Sequence, residues 1–528
     1  MIRLISRSFL SLFTSSLATR PAFVLTRIFQ MSQRDLGTKT YEEAVYQLNG
    51  LQSNAETLAN FYSRRQLTEM NVEETSNLLK HLNISLESID SLNCIHITGT
   101  KGKGSTAAFV ESILRNLGYK TGFYSSPHLV HVRERIRIDG KPISETTFAK
   151  NFFDVLDKLK EHRTTENLPG YFKFLTLLAF KVFLVELVDV AIIEVGIGGE
   201  HDCTNVLKNP IVCGITSLDL DHTRLLGNTI AEIAWQKAGI MKKDSLLVSV
   251  RQPSEALQVI QQRSQEKECP YLIAPELKDY IWPRTVSFGI PGRHQVTNVS
   301  LALQLARFWL LRTKKYENCS NLLNSTTDFS YTPDEEKIPL GYTIPGIFCD
   351  GLENCRWPGR SQVLKKKSSE NSSEIIYFLD SAHTPQSIKY CAEWFKETST
   401  NENEPLRVLV FHCTGDRSSS TLLPALQECN FDSALFCPVR LKPVVDKHND
   451  NTNINQSDEA EFKKSSVDAD TWNQLIGKDC SIAFGCIQET LEYVEKLAEN
   501  NSGLHVLVTG SLHLVGGVLY FQNPDIAD

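Results

Sequence analysis

The 528-residue sequence predicts an α/β protein with two units. The first stands on a parallel sheet and carries a glycine-rich loop, and the second is a smaller, Rossmann-like α/β domain. Short, nearly all-apolar runs alternate with stretches of helical period, the pattern of a parallel sheet buried on both faces. A glycine-rich segment sits between one such run and the helix after it. The same strand–helix rhythm resumes beyond a polar stretch at 312–345.

The first thirty residues carry Arg3, Arg7, Arg20 and Arg27, five serines and no Asp, Glu or Lys. Apolar residues interspersed among those arginines give the composition of a mitochondrial transit peptide, with a disordered basic tail as the alternative. The expected location is mitochondrial (matrix or inner-membrane associated). A start at Met31 would give a cytoplasmic form. The expected division is 1–30 transit peptide, 31–340 first domain and 341–528 second domain.

Within the first domain, Cys94–Ile97 leads through Gly99–Gly104 into a helix at Ser105–Leu117. There Phe109, Val110, Ile113, Leu114 and Leu117 repeat at helical spacing, and Gly118 stands in the C-terminal capping position. Leu187–Val195 is a buried strand closing on Gly196–Gly199; Ile211–Thr216 and Leu246–Val250 follow. Residues 312–345 read as an irregular linker. In the second domain Ile375–Leu379, Arg407–Phe411, Ala434–Cys437 and His505–Val508 read as strands, and 443–468 as a disordered polar insertion. Ligands of such sheets bind at the strand carboxyl ends, which here should face the junction between the domains.

Composition excludes several classes. A net charge of −7 argues against a nucleic-acid partner. Thirteen scattered cysteines without a C-x-x-C pair support neither a disulfide framework nor a zinc site, and fit a reducing compartment. No apolar run is long enough to span a bilayer.

The segment His96–Glu111 carries the chemistry. In Gly99-Thr100-Lys101-Gly102-Lys103-Gly104-Ser105-Thr106 the glycines let backbone N–H groups turn inward on phosphate oxygens. The following helix adds its positive end, and Lys103 a full charge. In the usual P-loop a Ser or Thr follows Gly-Lys at once and supplies a hydroxyl to Mg²⁺. Here Gly104 intervenes, and the first glycine spacing also differs. The loop is therefore not of the GTPase or kinase type.

With that loop, the sequence resembles the folylpolyglutamate synthases, relatives of the Mur ligases. Further motifs continue in family order: Tyr124-Ser-Ser126-Pro-His128 through Arg133-Glu-Arg135, Ile192-Ile-Glu194-Val-Gly-Ile-Gly-Gly199, Asp221-His222, Trp235-Gln-Lys237 and Gly292-Arg-His294-Gln295. Trp357-Pro-Gly-Arg360, Asp380-Ser-Ala-His383 and Thr509-Gly-Ser511 complete the set. The resemblance spans about residues 40 to 520 and implies a Mur-ligase-type two-domain fold with a P-loop ATPase-like first domain. It implies an ATP-dependent ligase that adds L-glutamate to tetrahydrofolate and its polyglutamates through an acyl phosphate. Positioning and charge neutralisation suit such phosphoryl transfer.

The resemblance also implies roles. Ser126, Glu194 and His222 would hold Mg²⁺, Ser126 supplying the hydroxyl that the altered loop misplaces; a monovalent cation such as K⁺ would accompany it. A structural salt bridge is the alternative for Glu194. Lys237 would be carboxylated by CO₂ or, unmodified, would bind phosphate. His294, Gln295 and Asn298 would face the adenine or merely cap a helix. Arg360 and Asp380 would reach the nucleotide from the second domain. His383 and Ser511 would meet glutamate or the reacting carboxylate, with structural roles equally open, and Lys237, Asp380 and His383 are the candidate catalytic groups. The enzyme would work as a monomer on small molecules. The competing readings are dihydrofolate synthase, a P-loop switch protein and an inactive scaffold.

Overall fold

The computed structural model describes residues 39–52, 70–162, 168–315, 341–367, 374–399, 405–413, 418–444, 448–450, 458–501 and 503–523. The expected transit peptide and Met31 lie outside the described residues, as does most of the 312–345 linker.

Eight strands form the first sheet: β1 Ile95–Thr98, β2 Thr121–Tyr124, β3 Ile136–Ile138, β4 Lys141–Pro142, β5 Val190–Glu194, β6 Val212–Ile215, β7 Leu247–Ser249 and β8 Tyr271–Ile273. Their order is β4-β3-β2-β5-β1-β6-β7-β8, parallel from β2 to β8, with β3 and β4 antiparallel at one edge. Alternation across the pleat separates the faces: Val190 and Ile192 of β5 join one core, and Ala191 and Ile193 the other. Because the chain leaves β1 for β2 on one side and later returns to β6 on the other, the loop after β1 lies at the topological switch point.

The second sheet contains β9 Gln362–Lys367, β10 Glu374–Leu379, β11 Leu406–Phe411, β12 Ser433–Phe436, β13 Ser481–Ala483 and β14 Gly503–Thr509. Their order is β13-β12-β11-β14-β10-β9, parallel except for β9. Helices cover both faces, one core gathering around Ile388, Phe395 and Trp472 and the other around Leu514, Val515 and Val518.

Two boundaries differ from expectation. Residues 341–355 belong to the first domain, not the second. Phe348, Cys349, Leu352 and Cys355 enter its core, Thr343 bridges Ile281, and Ser112 donates to the Gly351 carbonyl at 2.7 Å. The crossover therefore lies at Arg356–Ser361, where apolar side chains give way to Trp357-Pro-Gly-Arg. The 443–468 stretch is not disordered throughout: the helix Asp458–Ile476 begins inside it, and its Trp472 is fully buried. A run of charged and polar residues masks a helix that needs only one apolar stripe to dock.

Candidate active site

The expected helix after the glycines runs Lys103–Asn116, and Gly118 closes it with a left-handed φ of 90°. Its first N–H groups, those of Lys103, Gly104 and Ser105, have no partner within the helix and point out of its N-terminus. The loop before it is tied to β6: the Thr100 and Lys101 amides donate to the Ser217 carbonyl at 3.0 and 3.1 Å. Those two amides are thus used structurally, and the donors left open at the helix N-terminus are those of Lys103, Gly104 and Ser105. Gly99 and Gly102 adopt φ of 147° and 90°. A Cβ would strike Thr216 at the first and the Asn298 amide at the second. Asn298 thereby packs the helix Gln295–Thr313 against the loop.

Cations converge here. Lys103 Nζ and Lys237 Nζ both donate to the Gly99 carbonyl, at 3.1 and 2.8 Å. Lys237 is buried, and burial first, then repulsion from Lys103, push its ammonium well below the usual lysine range. Lys101 turns away from the cradle. Its Nζ donates to Asp221 at 3.1 Å and lies 3.2 Å from His383 Nε2 of the second domain. His383 Nδ1 faces the Ser381 carbonyl at 2.8 Å. That carbonyl can only accept, so the proton sits on Nδ1 and Nε2 keeps a lone pair.

Glu194 ends β5 almost fully buried, and its Oε2 accepts the Ser126 N–H at 3.2 Å. Burial raises its carboxyl; Lys103, the Ser126 amide, Arg360 and Arg135 oppose the rise without cancelling it. Gly104, Ser126, Glu194, Trp357 and Arg360 line one cleft between the domains. Ser126 and Glu194 are therefore brought together beside the phosphate loop. His222 is not shown joining them: it is exposed, in a left-handed conformation, next to the Asp221 that holds Lys101. Among the described residues no three His, Cys, Asp or Glu side chains form a metal-holding group. One buried carboxylate and one adjacent serine still fit Mg²⁺, which keeps several waters and takes substrate phosphates as ligands.

Asp380 is committed to its own domain. Its Oδ2 accepts from the Ser361 amide and hydroxyl at 2.8 and 3.1 Å, and its Oδ1 from the Ala382 amide at 2.9 Å. It thus fixes the turn that presents Arg360. Across the cleft, His294 stacks on Tyr390 of the second domain at 5.5 Å. Gln295 Nε2 donates to His294 Nε2 at 2.9 Å, and Asn298 donates to Gln295 at 2.8 Å. Burial lowers His294, and the charges of Asp380 and Arg360 reach it from the second domain.

No protein-family model matches the chain. A Caenorhabditis elegans protein provisionally named folylpolyglutamate synthase is 44% identical over 491 residues, covering 91% of this chain and 92% of that protein. The Bos taurus mitochondrial folylpolyglutamate synthase is 38% identical, covering 92% of this chain and 93% of its own. The chain belongs to the folylpolyglutamate synthase family. The crystal structure of Mycobacterium tuberculosis folylpolyglutamate synthase complexed with ADP superimposes with a TM-score of 0.66, covering 89% of this chain and 98% of that one at 23% identity. The two-domain α/β architecture is thus the fold of the synthase family.

Within that fold, Ser511 is buried at the N-cap of the helix Leu512–Gln522, its Oγ without a hydrogen-bond partner among the described residues. His128, Arg135 and Trp357 stand in sequence motifs that give them no role, and Arg137 stands in none. Arg135 Nε donates to His128 Nδ1 at 2.9 Å, and Trp357 stacks between Phe123 and the Arg137 guanidinium. Asp450 carries no motif at all. Only the spacing of arginines on alternate residues, 133, 135 and 137, hints at a strand edge with charged duties. Among the described residues every cysteine is a free thiol, and no helix is long and apolar enough to cross a membrane.

Proposed function

We propose that the chain is a tetrahydrofolate:L-glutamate γ-ligase forming ADP and phosphate. The observation that carries this reading is the cleft in which Gly104 of the phosphate loop, Ser126, the buried Glu194 and Arg360 of the second domain meet. An oxygen of the folate γ-carboxylate attacks the γ-phosphorus of ATP, and the bond to ADP breaks. The glutamate amine then attacks the acyl carbon, a C–N bond forms and phosphate leaves. Lys103 and the helix N-terminus bind the transferring group, and Arg360, braced by Asp380, neutralises charge from the opposite wall. His383 Nε2 faces the Lys101 ammonium at 3.2 Å and could take the proton released by the amine only after exchanging that contact. Ser126 and Glu194 would hold Mg²⁺, which would add neutralisation of phosphate charge, with K⁺ a candidate companion; His222, exposed beside Asp221, would have to move to serve as a third ligand. Lys237 has the suppressed basicity that carbamate formation with CO₂ requires. His294, Gln295 and Asn298 border the nucleotide, and Ser511, buried beside the cleft residue Leu512, would reach glutamate only if its helix start opened.

Both walls of the cleft come from one chain, which fits a monomer. Residues 1–30 direct the long form to mitochondria, and Met31 starts a cytoplasmic form. The test uses protein from Met31 with ATP, Mg²⁺, L-glutamate and tetrahydrofolate. ADP, phosphate and a folate longer by one glutamate are expected. ATP turnover without a lengthened folate overturns the proposal, and preferential use of dihydropteroate would make the enzyme a dihydrofolate synthase.

A further inference from the structure

The loop Ser125–Arg135 leaves β2 and returns to β3 in the first domain, but its middle enters the second domain. Ser126 and Pro127 line the cleft, but Leu129 and Val130 are buried in the second domain's core with Leu514, Val515 and Val518. The approach is so close that a Cβ on Gly516 would overlap the Leu129 carbonyl. Glu134 shapes the loop from within, accepting from the amides of Leu129, Val130 and His131 at 3.1, 2.8 and 2.6 Å.

A second fastening comes from outside. His448–Asp450 lie between β12 and the helix Asp458–Ile476 in the chain, and so belong to the second domain. Asp450 nevertheless reaches back over the first. Its Oδ1 accepts the Val132 N–H at 2.7 Å and the Tyr41 hydroxyl at 2.5 Å, and its Oδ2 lies 3.5 Å from His131 Nδ1. Its carbonyl accepts from His128 Nε2 at 3.2 Å. The neighbouring Asn449 carbonyl accepts from Asn49 at 3.0 Å, and His448 stacks on Tyr46 at 4.9 Å. One carboxylate therefore gathers an amide, a phenol and an imidazole from the loop and from the helix Tyr41–Asn49. Arg133, Glu134, Tyr171 and Arg135 are the other charged or titratable groups around it.

We propose that Asp450 is a positioning residue for the ligase reaction: it staples the Ser125–Arg135 loop so that Ser126 stands beside Glu194 when the domains dock. The geometry suits this role because Asp450 fixes the loop's far end while Glu134 stiffens its middle, leaving Ser126 few alternative placements. The phosphate loop has no part in the staple, being tied to Ser217 and packed on Thr216 and Asn298. The rate prediction rests on the ligase reading; the exchange measurement below does not.

The experiment compares full-length wild type with Asp450→Ala and Asp450→Asn. Amide hydrogen exchange of the 129–135 segment is followed alongside ADP affinity and steady-state kinetics. Asp450→Ala is expected to speed exchange at Val132 and lower kcat about tenfold, as loosening of a positioned group does. ADP affinity should stay at the wild-type level. Asp450→Asn keeps an acceptor for Val132 and should restore part of both losses. Unchanged exchange at Val132, or faster exchange with wild-type kcat, overturns the proposal. A parallel loss of ADP binding overturns it too, since that would mean general damage. If wild type itself made no lengthened folate, the function would be misread while the exchange result still judged the staple.

Discussion

The Gly99–Ser105 loop is fixed by its own domain, through Ser217, Thr216 and Asn298. The Ser125–Arg135 loop is fixed largely by the other domain, through Leu129 and Val130 in a foreign core and Asp450 over its end. The two loops are neighbours in the cleft, yet one is complete in the first domain alone and the other depends on docking. On the ligase proposal, the first domain alone cradles the nucleotide, and Arg360 joins Ser126 and Glu194 only across the interface. Such an arrangement couples closure, and exclusion of water from an acyl phosphate, to assembly of the site.

Removing the charge of the autonomous loop should have the largest effect. Lys103→Ala is expected to lower kcat/KM by about 10³-fold or more, the range for a charged clamp on a transferring phosphoryl group. Its thermal midpoint should fall little, because the half-buried Lys103 loses one hydrogen bond, to the Gly99 carbonyl, and leaves no apolar cavity. Product formation read with a melting curve checks both.

Glu194→Gln probes the point where the loops meet, with an expected loss of about 10²–10³-fold in kcat. It should also melt higher than wild type near neutral pH. Because burial raises the Glu194 carboxyl above its ordinary value of 4.5, the folded state holds this proton more tightly than the unfolded one. Stability from this group is present below that value and falls as pH rises above it. The glutamine variant should lack that part of the slope, as unfolding measured across pH would reveal.

Arg360→Ala separates the loops most cleanly. A loss of about 10²-fold in kcat is expected, with ADP affinity nearly unchanged, if Arg360 acts from the second wall. An equal loss of ADP affinity would show instead that the cradle is shared. Gly516→Ala should have the smallest effect on kcat but a clear one on stability. Its methyl would stand 2.0 Å from the Leu129 backbone carbonyl, so the loop must shift, a cost that outweighs the roughly 1 kcal/mol by which alanine favours a helix. A lower melting point and a lower kcat with intact ADP binding are the outcome expected.

How legible the molecule is in its sequence follows the same division. β1, β5, β6, β7, β10, β11, β12 and β14 announce themselves because strands buried on both faces read as unbroken apolar runs. β9, Gln362–Lys367, does not: an edge strand with alternating half-buried and exposed residues, ending in three lysines, offers no such run. β8 and β13 have three residues each, too few to read as runs among their helices. The phosphate loop is legible because its function rests on backbone freedom, which glycines advertise. Lys101 is not: its motif marks it as a phosphate ligand, whereas its ammonium spans Asp221 and His383, residues 120 and 282 positions away. Asp450 lies 318 residues from the amide that it receives, in a polar stretch that sequence alone marks as unstructured.

The central claim is that phosphate-loop and second-domain groups act together on one acyl phosphate. The most direct measurement supplies tetrahydrofolate labelled with ¹⁸O in its γ-carboxylate, together with ATP, Mg²⁺ and L-glutamate, to protein from Met31. The account predicts one ¹⁸O in the released phosphate for each folate lengthened by one glutamate, and ADP in equal amount. Unlabelled phosphate, or labelled folate that keeps both oxygens while ATP is consumed, would contradict it.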